Sequence, residues 1–336
     1  MEPGEYSIDI IIPYYKAAQT LPRALASVAM QTALEHICVT VVDDASGDGQ
    51  LADIAERFIG TGMDINVITL EENRGPGHAR QVGLDETDGD FVFFMDADDT
   101  LECSLGLEKM ARTILRSDLD IVSGAFIEET ENGVMVPHPA NMVWVFAKLY
   151  RRRFLDRFRI RFNDTRANED VGFNCVCAAL TDRVKHIPQT VYCWHWAYNT
   201  ITRANHGEYA YAHGHTGFVE NMIWACDEMK KRDLNREIIR NHVVTILCRL
   251  YFMHEAVMAN APDEAAASWG AICAFYLRCF KPIEGYVPAS YVRKIYLEEQ
   301  ANTKMDFMPC ETFRMYLANL RQDTEEENDG DGETDI

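Results

Sequence analysis

The chain has 336 residues, 47% of them hydrophobic, which is ample for one large domain or two modest ones. Its net charge of −21 argues against attachment to nucleic acid or anionic lipid through the whole surface. The longest apolar runs, "IDIIIP" and "FVFFM", are too short to span a bilayer, "MEPGEYS" lacks a signal peptide's order, and ten scattered cysteines without C-x-x-C read as reduced thiols, so a cytoplasmic protein is expected.

The first 130 residues alternate strand and helix patterns. "YSIDIIIPYY" reads as a strand, and "TLPRALASVAMQT" then sets Leu21, Ala24, Leu25 and Val28 at helical spacing, with Thr20 as N-cap and Pro22 in the first turn. "HICVTVVDD" is a second strand and "GQLADIAERFI" a helix; "DINVITL" is a third strand, after which "NRGPG" opens the helix "HARQVGLDET". "DFVFFMD" is a fourth strand, "SLGLEKMARTIL" a helix and "DIVSGAFIEE" a fifth strand. Apolar strands separated by helices predict an α/β, doubly wound, mainly parallel sheet covered on both faces. From about residue 207 the pattern turns helical. The predicted division is therefore a sheet domain over 1–205, a helical region over 206–322 that selects an acceptor or makes a homo-oligomer, and an acidic tail over 323–336. That tail carries eight acids and no base, has almost nothing to bury, and is expected to be disordered.

Parallel sheets bind ligands at the carboxyl ends of their strands. Here those ends carry Pro13, Tyr14 and Tyr15, then Asp43 and Asp44, then Asn73 and Arg74, then Asp96 and Asp98. Asp96, Asp98 and Asp99 crowd one strand tip, and adjacent carboxylates repel unless a proton or a cation relieves them. Hard cations such as Mg²⁺ and Mn²⁺ favour oxygen ligands and take one or two carboxylates plus substrate phosphates. The charge at the tip is thus explained by a metal that holds a diphosphate. Taken alone, Glu169 and Asp170 are acids in the first turn of a helix, where the macrodipole favours them.

The segments "IDIIIPYYKAAQTLPRALASVAMQT", "VTVVDDASGDG", "ENRGPGHARQVGLDETDGDFVFFMDADD" and "ANEDVGFN" resemble, in order and spacing, the motifs of family 2 glycosyltransferases, which have the nucleotide-diphospho-sugar-binding GT-A fold. The resemblance covers roughly residues 7–203. It implies that Pro13 and Tyr15 line a nucleoside pocket, that Asp44 accepts from a uracil ring with Asp43 supporting its loop, and that Arg80 lies near the nucleotide. It also implies that Asp96 reaches the ribose or the metal and that Asp98 coordinates Mn²⁺ or Mg²⁺. Inverting members place their general base at the aspartate of the Glu-Asp pair, which points to Asp170, with Glu169 orienting it or the acceptor. In "YCWHWAYNTITR" the resemblance makes His195 and Arg203 candidates for phosphate or metal, with Thr200 and Thr202 as hydroxyl donors, although aromatics surround His195 where the family more often has a base.

The expected activity is inverting, metal-dependent transfer from a nucleotide-diphosphate sugar, in the first place a UDP-sugar, to a hydroxyl on a glycan, a polymer or a lipid-linked acceptor. Nucleic acid is disfavoured as acceptor by the acidity. A nucleotidyltransferase of similar fold would want a Gly-rich loop after the first strand, and "PYYKAAQT" has no glycine; a non-catalytic module would have lost carboxylates that are all present here. One basic cluster, "AKLYRRRFLDRFRIRF" over 147–162, reads as a helix with Phe154, Leu155 and Phe158 facing inward and its arginines facing out. It is expected either to be a solvated face or to meet an acceptor phosphate or a peripheral membrane surface.

Overall fold

The computed structural model describes residues 6–197, 214–260, 265–303 and 310–330, and the chain divides into two compact units, Met1–Thr200 and Ile201–Ile336. In the first unit, β1 (Ile8–Tyr14), β2 (Ile37–Asp43), β3 (Asp64–Thr69) and β4 (Phe91–Phe94) pair in parallel in the order β3-β2-β1-β4. Ile10, Ile11 and Ile12 are wholly buried, as a central strand with both faces covered requires. One face is covered by α1 (Leu21–Ala29), α2 (Leu51–Ile59) and α4 (Gly106–Ser117), whose Leu21, Leu25, Ile54, Met110 and Ile114 join one core with the strands. On the other face lies α3 (Pro76–Asp85), seated so closely that a Cβ on Gly83 would come within 2.4 Å of Ile11. Thr20 does stand before α1, but its hydroxyl donates to the Ala17 carbonyl (3.2 Å) and caps no helical N–H.

The sheet continues beyond β4 with the fifth predicted strand, at Ile121–Glu129, and with further strands that the sequence pattern did not announce. β8 (Lys148–Arg151) runs antiparallel to β4 and to β6 (Ile121–Glu129); β9 (Val184–Trp194) runs parallel to β6; β5 (Thr100–Leu101) pairs with β9, and β7 (Met135–His138) with β6. The full order is β3-β2-β1-β4-β8-β6-β9-β5, an α/β sheet that is mixed on one side and parallel on the other. Below it, α6 (Glu169–Leu180) packs Phe173 face to face on Phe162, with ring centroids 4.2 Å apart.

The reading of 147–162 as one helix with outward arginines is corrected here. Its first basic residues lie in β8 and at the start of α5 (Arg152–Phe158), and Lys148, Arg151 and Arg152 are buried. Arg152 pairs with Asp9 (2.9 Å) and donates to the carbonyls of Gly89 and Leu84, while Arg151 donates to the carbonyls of Leu119 and Ile114. Farther along, Arg153 meets Asp118 (2.7 Å) and Arg161 meets Asp85 (2.6 Å). Lys148, Arg151 and Arg152 thus act as internal fasteners, whereas Arg153 and Arg161 form ion pairs on the surface.

In the second unit, α7 (Gly214–Lys231), α8 (Arg236–Asn260), α9 (Ala265–Phe275), α10 (Ala289–Thr303) and α11 (Cys310–Gly330) bury Tyr251, Tyr296, Phe313 and Leu320, and Tyr296 and Phe313 stack at 4.8 Å. The acidic tail departs from its expected disorder over its first residues, because α11 runs on to Gly330. Thr324 is buried, and Asp323 accepts a hydrogen bond from the Trp269 indole (2.8 Å). Among the described residues, no helix is long and apolar enough to cross a membrane.

Candidate active site

The strand ends converge as parallel-sheet geometry demands, and each loop is locked by a carboxylate. At the end of β2, Asp43 accepts from the Ser46 N–H (2.9 Å), and the Ser46 hydroxyl in turn accepts from the Lys16 N–H (2.8 Å). Asp44 accepts from the N–H groups of Arg74 (2.9 Å) and Gly75 (2.7 Å), one on each oxygen. Gly75 sits at φ 96°, ψ 169°, a conformation that only glycine holds without strain, and this kink opens α3. Asp44 therefore braces the β3–α3 loop. Tyr15 follows β1 and is 49% exposed, with the Lys16 ammonium over its ring (5.1 Å), whereas neighbouring Tyr14 is buried and donates to Asp48 (2.6 Å); Pro13 is partly buried at the tip of β1.

A buried guanidinium joins the two acidic clusters. Arg80 on α3 donates from one nitrogen to Asp96 beyond β4 (2.5 Å) and from another to Glu169 at the start of α6 (2.6 Å). Burial works against its charge, but Asp96 and Glu169 more than offset this and raise its pKa. Glu169 is buried, and desolvation lifts its pKa despite Arg80. Its methylenes lie against the first turn of α3, where a Cβ on Gly77 would come within 2.5 Å of Cγ. Next to it, Asp170 accepts from the Val171 N–H (2.8 Å) and remains partly exposed. Burial first, and the charge of Glu169 second, push its carboxyl up to about 7, with Arg80 pulling the other way. A carboxylate of that basicity is suited to accept a proton near neutral pH.

Beneath the strand tip lies a second polar network. Asp99 is fully buried and accepts from the Tyr192 hydroxyl (2.7 Å) and the His195 N–H (2.8 Å); the Tyr192 oxygen also accepts from the Asp96 N–H (3.0 Å). Burial, then the charges of Asp98 and Asp96, push Asp99 well above the usual carboxylate range. Both ring nitrogens of His195 are taken up within the protein, Nδ1 by Glu129 (2.8 Å) and Nε2 by the Thr100 hydroxyl (2.8 Å), so the side chain ties β9 to the ends of β6 and β5. Arg203, Thr200 and Thr202 lie outside the described residues.

Asp98 and Asp96 offer oxygen donors only, both partly exposed, in a field negative enough to perturb Asp99, and this donor chemistry fits Mg²⁺ or Mn²⁺. Among the described residues no three His, Cys, Asp or Glu side chains are grouped to hold a metal by themselves, so such an ion would complete its shell from substrate oxygens. The site thus brings together Asp43, Asp44, Arg80, Asp96, Asp98, Glu169 and Asp170. Sequence reasoning passed over Tyr192 and Lys148. Tyr192 was one aromatic among several in "YCWHW", and its role follows from the β5–β9 pairing opposite Leu101. Lys148 looked like surface charge, yet it is 2% exposed and donates to the carbonyls of Trp144 and Phe146.

Residues 9–186 match the profile of the family described as "Glycosyl transferase family 2", slightly more than half of the chain. Among curated relatives, the succinoglycan biosynthesis protein ExoO of Rhizobium meliloti is 27% identical over 229 residues, covering 58% of this chain and 62% of that protein. The chain therefore spans less than two thirds of that relative's length. Among solved structures, Staphylococcus aureus TarS 1-349 in complex with UDP-GlcNAc superimposes with a TM-score of 0.68 at 21% identity, covering 89% of this chain and 92% of that one. The Pyrobaculum calidifontis mannosyltransferase PcManGT in complex with GDP-Man and Mn²⁺ does so with a TM-score of 0.52 at 17% identity, covering 87% and 86%. Four motifs in order, the α/β architecture and the profile match lead to one conclusion: the chain belongs to glycosyltransferase family 2 and has its GT-A fold.

Proposed function

We propose that this glycosyltransferase moves a sugar from a nucleotide-diphosphate sugar, a UDP-sugar in the first place, to an acceptor hydroxyl with inversion at the anomeric carbon. The observation that carries the reading is the Arg80 bridge, which ties the Glu169-Asp170 pair to the Asp96 carboxylate of the strand tip. Pro13, Tyr15 and Asp44 hold the nucleoside, with Asp43 keeping the Asp44 loop in shape. Asp96 takes the ribose or shares the metal with Asp98. A divalent cation on these carboxylates supplies Lewis-acid stabilisation of the departing nucleotide diphosphate. Asp170 receives the proton of the acceptor hydroxyl as that oxygen bonds to the anomeric carbon on the face opposite the leaving group. Arg80 holds Glu169 in place, so that Asp170 has one fixed neighbour.

The TarS complex with UDP-GlcNAc supports a uridine nucleotide, the PcManGT complex with Mn²⁺ supports the cation, and the succinoglycan relative supports a growing saccharide as acceptor. The test is release of nucleotide diphosphate from a panel of UDP-, GDP- and dTDP-sugars with Mn²⁺, Mg²⁺ or EDTA. Metal-dependent release from one donor class supports the reading. Absence of release together with absence of nucleotide binding refutes it.

A further inference from the structure

One edge of α1 carries a row of side chains that bond the main chain of the acidic strand-tip segment. Arg23, Ser27 and Gln31 follow one another at a spacing of four, so they share one face, the last of them just past the helix end. The Arg23 guanidinium donates to the Asp98 carbonyl (2.6 Å). The Ser27 hydroxyl accepts from the Leu101 N–H (3.0 Å) and itself donates to the Ala24 carbonyl (2.7 Å). The Gln31 amide donates to the Cys103 carbonyl (3.0 Å), and the Thr32 N–H beyond it donates to the Ser104 carbonyl (2.9 Å). Residues 98 to 104 are thus laid along α1 rung by rung.

The rungs differ in their surroundings. Gln31 is 5% exposed and Ser27 is partly buried, so their bonds belong to the fold, whereas Arg23 is exposed and its single bond to a carbonyl adds little stability. What Arg23 does hold is the peptide that follows Asp98. Asp98 sits in the turn between β4 and β5, which is closed by the Asp99 N–H donating to the Asp96 carbonyl (3.2 Å). Buried groups anchor the turn on either side, Tyr192 at the Asp96 N–H, and Tyr192 with the His195 N–H at the Asp99 carboxylate. Between these anchors α1 reaches the Asp98 carbonyl through Arg23. A carbonyl held in place fixes ψ of its residue, and with it the direction in which the carboxylate projects.

We propose that Arg23 is a positioning residue of the cation site, acting through the Asp98 main chain so that the Asp98 and Asp96 carboxylates meet one divalent ion together. Outer groups that aim metal ligands commonly govern affinity by about 10- to 100-fold. Positioning and plain charge differ here in sign. A guanidinium beside acidic groups repels a metal ion, so removing its charge alone would tighten Mn²⁺ binding, whereas removing a positioning contact weakens it. This inference rests on the transferase reading, because it takes the strand tip as the seat of the ion that meets the diphosphate.

The test measures Mn²⁺ affinity of the full chain with UDP present, by electron paramagnetic resonance of the free ion, in the wild type, Arg23→Met and Arg23→Lys. UDP affinity in EDTA is followed by calorimetry, and each variant is melted. Arg23→Met should weaken Mn²⁺ binding by about tenfold or more, with UDP affinity in EDTA and Tm nearly unchanged, and Arg23→Lys, which keeps a donor and the charge, should restore most of the loss. Four outcomes each overturn the assignment: Mn²⁺ binding by Arg23→Met that equals or exceeds the wild type, no recovery by lysine in a protein that melts normally, an equal loss of UDP affinity in EDTA, or a fall in Tm of several degrees that accounts for the weaker binding. A wild type that binds Mn²⁺ while the variants match it leaves the transferase reading standing; a wild type that binds neither Mn²⁺ nor UDP brings down both.

Discussion

Asp170 offers the sharpest handle on the chemistry. Its carboxyl is pushed from an ordinary 3.8 up to about 7 by burial and by Glu169. At pH 6 only about one molecule in ten would carry the base in its active form, and at pH 8 about nine in ten. Acceptor-dependent kcat/KM should therefore climb roughly tenfold per pH unit below neutrality and level off above about pH 8. Asp170→Asn keeps an oxygen able to accept from the Val171 N–H, so the helix start survives while the proton acceptor is lost. Transfer should fall by a factor of about 10² or more, with the pH slope abolished.

The same substitution should act on stability with a definite sign. A carboxyl whose folded pKa lies above its unfolded value stabilises the fold fully below about pH 4 and loses that contribution as pH rises through about 7. Asp170→Asn should thus raise Tm at pH 8 and leave it nearly unchanged at pH 4, the usual opposition between a poised active site and stability. The assays are transfer to a saccharide acceptor across pH and calorimetric melts at the two pH values. A variant that keeps near-normal turnover, or a wild-type rate that is flat through pH 6 to 8, would refute Asp170 as the base.

Four further expectations test other parts of the structure. Asp98→Ala should remove the Mn²⁺ dependence of UDP affinity measured by calorimetry, and unchanged affinity in the presence of Mn²⁺ would dissociate the metal from the strand tip. Arg80→Met leaves Glu169 and Asp96 without their shared partner, so it should lower stability by about 3–5 kcal/mol in urea unfolding and abolish transfer; a stable, active variant contradicts the bridge. Gly77→Ala would place a methyl group 2.5 Å from Glu169 Cγ and should displace that side chain, reducing turnover by at least about tenfold with a smaller effect on UDP affinity. Truncation after Gln322 removes buried Thr324 and the Asp323 partner of Trp269, and should lower Tm by a few degrees, whereas an unchanged Tm would mean this turn of α11 contributes nothing to the fold.

The parallel half of the sheet was legible because β1, β2 and β4 are largely apolar and buried and its helices keep a buried stripe, as with Leu21, Ala24, Leu25 and Val28; β3, at the edge, is mostly exposed and mixes in polar residues. β5, β7 and β8 are too short to show a period, and β9 mixes polar and aromatic residues because its two faces meet different surroundings. The polar strand ends were visible as residues, but their wiring was not. Nothing local in "HARQ" says that Arg80 will reach both Asp96 and Glu169, residues that lie 16 and 89 positions along the chain. The basic run misled for a related reason. Lysine and arginine are surface residues by default, and only the tertiary fold reveals that Arg152 has Asp9 and two carbonyls waiting for it. The acidic tail likewise reads as unstructured from composition, yet α11 continues into it once Thr324 has a core to enter.

The fastening of the loop before β8 has a consequence for how this segment diversifies. Asn141, Val143, Trp144 and Phe146 are gripped at their carbonyl oxygens by Ser123, Asn174 and Lys148, none of which belongs to the loop itself. Any residue supplies the same carbonyl. The path of the loop is therefore independent of most of the side chains it displays, and positions such as Met142 and Val143 are open to exchange without loss of geometry. A lineage could vary those side chains by point changes on a stationary frame, and a library randomised at those positions should yield mostly folded proteins.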